Sequence, residues 1–245
     1  MWPRAALLAV LAACLGATGC VRIPPAGPRL QAIVAPAVPK GTQVSAETLQ
    51  AAAKVLQTRL CDVGWAEVKT DAGRILVALP AGRDSLLEES VRPGDLRFEA
   101  MPGNLDNAAS PPDRVYWVDS RTRAHVPDAD AIAAGFVILR GKDFEQNARV
   151  ETGARGSKVF FEIRGDRQAE FRNFTRVQVG RWLAILLDDE FLEAVVIKAP
   201  LPGKGVIEGG LPLEEARRLV RCINSGPLPV PLAVLQKTGP AGAAR

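Results

Sequence analysis

Apolar positions along this chain fall into two periods, and the switches between them mark its elements. Leu49, Ala52, Ala53, Leu56, Leu60 and Val63 form one helical stripe. Ser45 stands where an N-cap belongs, Glu47 lies in the first turn, and Gly64 can close the helix beyond its last residue. Residues 65–70 and 74–79 alternate as strands around Asp71-Ala72-Gly73, a hairpin turn with glycine where a positive φ is needed. Asp84 caps a short helix that stops at Pro93-Gly94. Leu96, Phe98 and Ala100 then alternate with Asp95, Arg97 and Glu99, the mark of a half-buried strand.

Residues 102–114 break the pattern with Gly103, Asn104, Asn107, Ser110, Pro111 and Pro112, so a second module is expected to be inserted there. It opens with Tyr116-Trp117-Val118 and includes an apolar run over residues 136–139 that reads as buried, followed by a strand over 158–163. Asp166 caps a helix that carries Phe171 and Phe174 and is closed by Gly180. Apolar runs at 182–187 and 191–196 flank Asp188-Asp189-Glu190 as a hairpin. The chain then returns to the first module. Pro212, Glu214 and Glu215 start a helix whose buried face is Ala216, Leu219, Val220 and Ile223. In the last strand Leu228, Val230, Leu232 and Val234 share one face. Pro229 and Pro231 lack the donor a ladder needs, which places this strand at a sheet edge.

The N-terminus changes the picture from a bare domain to an exported one. Arg4, the apolar stretch from Ala5 to Leu15 and the small residues Ala17-Thr18-Gly19 before Cys20 form a targeting segment, residues 1–20. The stretch is shorter than the ~20 residues that span a bilayer as a helix. Small residues before a cysteine match a bacterial lipobox, with Cys20 as the lipidated residue and Cys14 the competing site; an uncleaved anchor or plain secretory signal is the other reading. Pro24, Pro25, Pro28, Pro36 and Pro39 make residues 21–40 an extended tether that holds the domain off a membrane. Export permits disulfides, and Cys61 and Cys222 remain after processing. Two buried thiols or one bridge both fit the sequence. The formal net charge of +4 is too small for a nucleic-acid binder, and the arginines between 149 and 181 alternate with Glu151, Glu162, Asp166 and Glu170.

The joints between 171 and 232 carry a family likeness. Phe171, Thr175 and Gly180 precede the apolar run that stops at Asp188. Glu214-Glu215-Ala216 and Ser225-Gly226-Pro227-Leu228-Pro229-Val230-Pro231-Leu232 follow in register. This order of residues resembles the large periplasmic domain of SecD, an accessory subunit of the bacterial protein-export channel. Arg59 with Gly64, and Val77-Ala78-Leu79-Pro80 with Asp84, resemble that family's helix end and strand end. The likeness runs over about residues 45 to 240 and is weakest between 102 and 149. Two departures stand out. Leu30-Gln31-Ala32-Ile33 replaces the family's L-D-L-x-G-G opening, and no apolar run follows Gly239, where the family's next transmembrane helix would begin.

The resemblance implies an α+β fold: a ferredoxin-like split-βαβ base with an inserted α+β head. The expected limits are base over 41–101 and 206–238, head over 102–205, and a tail at 239–245. The head is expected to turn on the base about residues 102–114 and 198–205. The implied role is a periplasmic, membrane-tethered lipoprotein that accompanies Sec translocon subunits and binds unfolded preproteins in a base–head cleft or along the last strand's edge. Alternatives are an assembly lipoprotein that keeps the fold without an export role, and a periplasmic ligand-binding protein. No enzyme, cofactor or metal is expected. His125 is the only histidine, so no histidine triad or multi-histidine metal site can be built. Asp188-Asp189-Glu190 reads as a turn, Gly203-Lys204-Gly205 lacks phosphate-loop spacing, and Arg164-Gly165-Asp166 reads as a strand end and helix cap. The sequon at Asn173-Phe174-Thr175 lies within a helix.

Overall fold

The structure, a computed structural model, describes residues 27–61, 64–108, 116–153 and 156–239. Cys14, Cys20 and the targeting segment lie outside the described residues. The base contains strand β1 (Arg29–Pro36), helix α1 (Ala46–Cys61), strands β2 (Glu67–Asp71) and β3 (Arg74–Pro80), helix α2 (Asp84–Ser90) and the final strand β14 (Leu232–Thr238). Its sheet has the order β14-β1-β3-β2 with every neighbour antiparallel, so α1 carries the chain from β1 past β3 to β2.

The local causes are those the sequence suggests. The Thr48 amide donates to Ser45 Oγ at 3.1 Å, which satisfies one free donor at the start of α1. Ala72 and Gly73 both hold positive φ, 43° and 79°, which suits a two-residue hairpin between β2 and β3. Leu49, Ala52, Ala53, Leu56 and Leu60 of α1 pack on Leu30, Ala32, Val34, Ile75, Val77 and Leu79 of the sheet. Asp84 is the first residue of α2 rather than its cap, which is Arg83.

The limits of the base shift. The expected tether runs through residues 29–36, yet these form β1 in the interior of the sheet, between β14 and β3. Leu30, Ala32 and Val34 alternate inward there, and Pro36 falls at the strand's end, where a missing donor costs least. Leu96–Ala100 (β4), expected with the base, instead pairs with β11 and β8 in the head.

The head continues with β5 (Leu105–Ala108), β6 (Tyr116–Asp119), β7 (His125–Val126), helix α3 (Asp128–Ala134), β8 (Phe136–Arg140) and a short 3-10 turn (Gly141–Asp143). Then come β9 (Arg149–Gly153), β10 (Gly156–Glu162), α4 (Gly165–Val177), β11 (Trp182–Leu187), β12 (Glu190–Val196), β13 (Lys204–Leu211) and α5 (Leu213–Ser225). The main sheet, β12-β11-β4-β8, has both faces covered. Leu96, Phe98, Leu183, Ile185 and Leu187 face a large core shared with α4, α5 and the β13-β10-β9 sheet. Ala184 and Leu186 face a smaller core with Leu105, Trp117 and Ala131. Burial on both faces is why β11 is apolar at every position. Helix α5, expected with the base, sends Ala216, Leu219, Cys222 and Ile223 into the large head core.

The chain therefore passes between base and head at residues 91–95 and 225–228, where the Leu228 amide donates to Pro93 O at 2.9 Å. The stretches at 102–114 and 198–205, expected as hinges, do not lie at these crossings: β5 and β13 begin within them, inside the head. Cys61 and Cys222 are both free thiols.

Candidate functional site

Gly135 ends α3, and the chain enters β8 with four apolar residues in succession. The sequence reads them as buried, but only Leu139 is. Phe136 is 64% exposed and lies stacked on Phe174 of α4, ring centroids 6.0 Å apart and planes 12° from parallel. Val177, one turn on from Phe174, is also exposed. Among the described residues β8 pairs with β4 on one side and with no strand on the other, so it is a sheet edge beside a helix. Such an edge presents main-chain donors and acceptors to any extended chain that can reach it.

Between that edge and the start of α4 lies a cavity of about 590 Å³, bordered by Val137, Ile138, Arg140, Lys142, Arg164 and Arg167. Arg167 reaches the edge itself, its Nη2 3.5 Å from Ile138 O. Asp143 shapes this wall: its Oδ2 accepts from the Arg140 amide at 2.9 Å, and its Oδ1 lies 3.3 Å from Arg167 Nε. Arg167 also pairs with Glu170, Arg164 with Asp166, and Arg140 with Asp95. The cavity is thus lined chiefly by charged side chains, most of them in ion pairs, with Val137 and Ile138 as its apolar part.

A second cavity, of about 440 Å³, adjoins the first through Lys142 and Arg164. Its other walls are Phe144, Ile223, Ser225 and Pro227, so it opens at the neck between base and head. Gly141 is pressed close there: a Cβ on it would sit 3.3 Å from Pro227 Cδ. The two cavities, which share Lys142 and Arg164 as walls, lie between the β8 edge and the neck.

The other edge that the sequence singles out is β14, which borders the base sheet with Leu235 59% exposed. Pro229 and Pro231 precede it, while Val230 and Leu232 pack into the base core. The open face of the same sheet holds a cavity of about 360 Å³ over Ile33, Leu76 and Ala78.

Asp188-Asp189-Glu190 forms the expected turn, with φ of 55° and 66° at Asp188 and Asp189, and it also docks on the neck. Asp188 accepts from the Asp95 amide and from Arg218 Nη2, each at 2.9 Å, and Glu190 meets Arg92 at 2.9 Å. Burial pushes the Glu190 carboxyl up, but the Arg92 and Arg218 guanidiniums outweigh it and hold it below the usual carboxylate range. The same carboxylates outweigh burial at Arg218 and raise it. His125 is exposed in β7 against Tyr116, and among the described residues it belongs to no cluster of three or more potential metal ligands. Gly203 and Gly205 meet the Gln168 side chain and the Phe161 ring, a packing reason for glycine at both. Arg164 is the N-cap of α4, and Asp166 lies in its first turn rather than capping it. Among the described residues no helix is long and apolar enough to cross a membrane.

Sequence reasoning missed the β8 edge, Phe136 and Arg167. An unbroken apolar run normally means cover on both faces; the signal available was the second apolar ring on α4, Phe174, half-buried beside Phe136.

Comparison with known proteins gives these features a setting. Residues 122–230 match the family described as SecDF, P1 head subdomain. The protein translocase subunit SecD of Sebaldella termitidis is 26% identical over 205 residues, which cover 80% of this chain and 43% of that one. A crystal structure of SecDF in a super-membrane-facing form superposes with a TM-score of 0.68 at 25% identity, over 86% of this chain and 30% of that one. A further structure, described for SecDF as a membrane component that enhances protein export, has a TM-score of 0.65 at 22% identity and shares this fold over 84% of this chain and 98% of its own. The chain spans less than half the length of the curated SecD relatives it matches.

Proposed function

We propose that this chain, a SecD-like domain with the head subdomain of the SecDF P1 region on its base, is a non-enzymatic accessory of protein export that holds unfolded polypeptide. The observation that carries this reading is the β8 edge, which no strand covers among the described residues, with the exposed Phe136 stacked on Phe174 beside it and two cavities between it and the neck. Edge pairing uses main-chain hydrogen bonds and so accepts any sequence, while the exposed Phe136 ring adds contact area without demanding a fixed partner side chain. That combination suits a client that differs from one passage to the next. β14 offers a second edge, on the base. In this reading the domain lies on the outer side of the membrane beside Sec translocon subunits, tethered by lipid on Cys20.

The test is in-cell photocrosslinking from Phe136 and Lys142. Capture of translocating preprotein, lost when export is blocked, is the expected result. Capture of assembly partners alone would favour a structural lipoprotein. Lipid attachment is checked separately: globomycin-sensitive processing and membrane partitioning should both disappear in Cys20→Ser.

A further inference from the structure

Arg59 lies in the last turn of α1 and is 2% exposed, yet no carboxylate is within ion-pair distance of it among the described residues. Its guanidinium is held instead by oxygens from both strands of the neck. Nε donates to Ser225 Oγ at 3.0 Å. Nη1 donates to Ser90 O and Arg92 O, at 2.9 and 2.5 Å. Nη2 donates to Pro93 O and Gly226 O, at 2.9 and 3.0 Å. An arginine has five N–H donors in a fixed fork, and here each one has an acceptor.

The charge is balanced by geometry. Ser90 ends α2, Ser225 ends α5, and Gly226 is the residue beyond it, so the C-terminal ends of two helices converge on this one cation. Each such end carries a partial negative charge from its unpaired carbonyls. Burial lowers the Arg59 pKa, with Cys222, Asp188 and Glu89 acting the other way; the guanidinium is nevertheless charged at any physiological pH.

The space is cut to the side chain. Gly94 holds a φ of +69°, and a Cβ there would fall 2.1 Å from Arg59 Nη2. Gly226, at φ 73° and ψ 177°, occupies a region only glycine adopts freely, which aims its carbonyl at Nη2. Around this centre, Arg221 of α5 pairs with Glu89 of α2 at 2.6 Å, a second tie between head and base.

We infer that Arg59 is the positioning residue of the neck: one base side chain that sets the orientation of the head by gripping both crossing strands. Four of the five acceptors are main-chain carbonyls, so any rotation of the head about the neck breaks several bonds together. The grip resists turning until it fails as a unit. It requires arginine, because lysine's three donors on one nitrogen cannot span acceptors on two strands. This inference stands independently of what the β8 edge binds.

The test places spin labels on the full chain through bioorthogonal residues at Lys54 in the base and Arg176 in the head, both exposed. The wild type should give one narrow distance population. Arg59→Met should broaden it at least twofold while hydrogen exchange around Leu56 and Ile185 stays protected. Arg59→Lys should broaden it less, and Ser225→Ala least, since that change removes a single acceptor. A narrow distribution in Arg59→Met would overturn the inference, as would broadening accompanied by loss of protection in either core. If Arg59→Met does not fold, the Lys and Ala variants decide, and unchanged distances in both would overturn it.

Discussion

Leu56, Leu60, Ile75, Leu79 and Leu87 fill the base, whose core contains only aliphatic side chains, whereas Phe98, Phe144, Phe161, Phe171 and Trp117 fill the head. The difference follows from how many faces each sheet must cover. The base sheet packs α1 and α2 on one side and leaves the other open, so a single layer of Leu, Val and Ile closes the gap. The main head sheet separates two cores, and three rings, Phe98, Phe144 and Phe161, meet at centroid distances of 5.1 to 5.5 Å to bridge it to β10. Aromatic rings bury more area per residue and pack edge to face. The head is thus built around a few large pieces and the base around many small ones, and their sensitivity to single changes should differ accordingly.

The sharpest way to expose that contrast is Trp117→Ala. Trp117 is fully buried against Trp182 and Phe191, so its loss should cost about 3–5 kcal/mol. Chemical denaturation followed by hydrogen exchange should place the damage in the head and leave the α1 amides protected; loss spread evenly over both parts would mean that the two cores are one. Leu219→Ala, at about 2–5 kcal/mol, asks to which side α5 belongs. Its contacts lie in the head core, so exchange should rise around Ile185 before it rises around Leu56. The reverse order would return α5 to the base.

A pH series sharpens the comparison at Glu99. This carboxyl is 1% exposed, its Oε2 has no hydrogen-bond partner, and burial raises its pKa despite Arg97 beside it. A group raised in the folded state favours folding while protonated. The head should therefore lose stability as pH rises from the model-compound value of 4.5 through the higher folded value. Thermal melts of the wild type and Glu99→Gln should diverge over that window, with the glutamine variant losing less; parallel curves would place the proton elsewhere. The smallest effect concerns rates alone. Burial pushes the Cys222 thiol up, while Cys61 is partly exposed. A thiol reagent should modify Cys61 in the native protein and Cys222 only on unfolding, and equal rates would show that the neck opens readily.

Much of the base could be read from the sequence because its signals are local. The α1 stripe, the Ala72-Gly73 turn and the edge position of the last strand each follow from residues a few positions apart. β1 was hidden because prolines around it outweighed the inward alternation of Leu30, Ala32 and Val34. β4 and α5 were given to the wrong part for another reason. Periodicity identifies which face of an element is buried, but not which of two cores receives it. The β8 edge was less legible still. Phe136 belongs to an apolar run and gives no sign that it faces solvent, and the acceptors around Arg59 are mostly carbonyls, which every residue possesses.

The grip on Ser225 spans 166 residues of chain, and it has a bearing on the order of folding. A chain delivered from its N-terminus presents α1 long before Ser225 and Gly226, which complete the set of oxygens around Arg59, and β1 long before its neighbour β14. The head is one continuous segment between the two neck strands, and it can assemble while β1 still lacks β14. Closing a long loop is entropically costly and slow compared with local pairing. The part that leads in the sequence is therefore the part completed last. Until residue 226 arrives, Arg59 lacks two of its five acceptors, so the neck also records whether the whole head has been delivered.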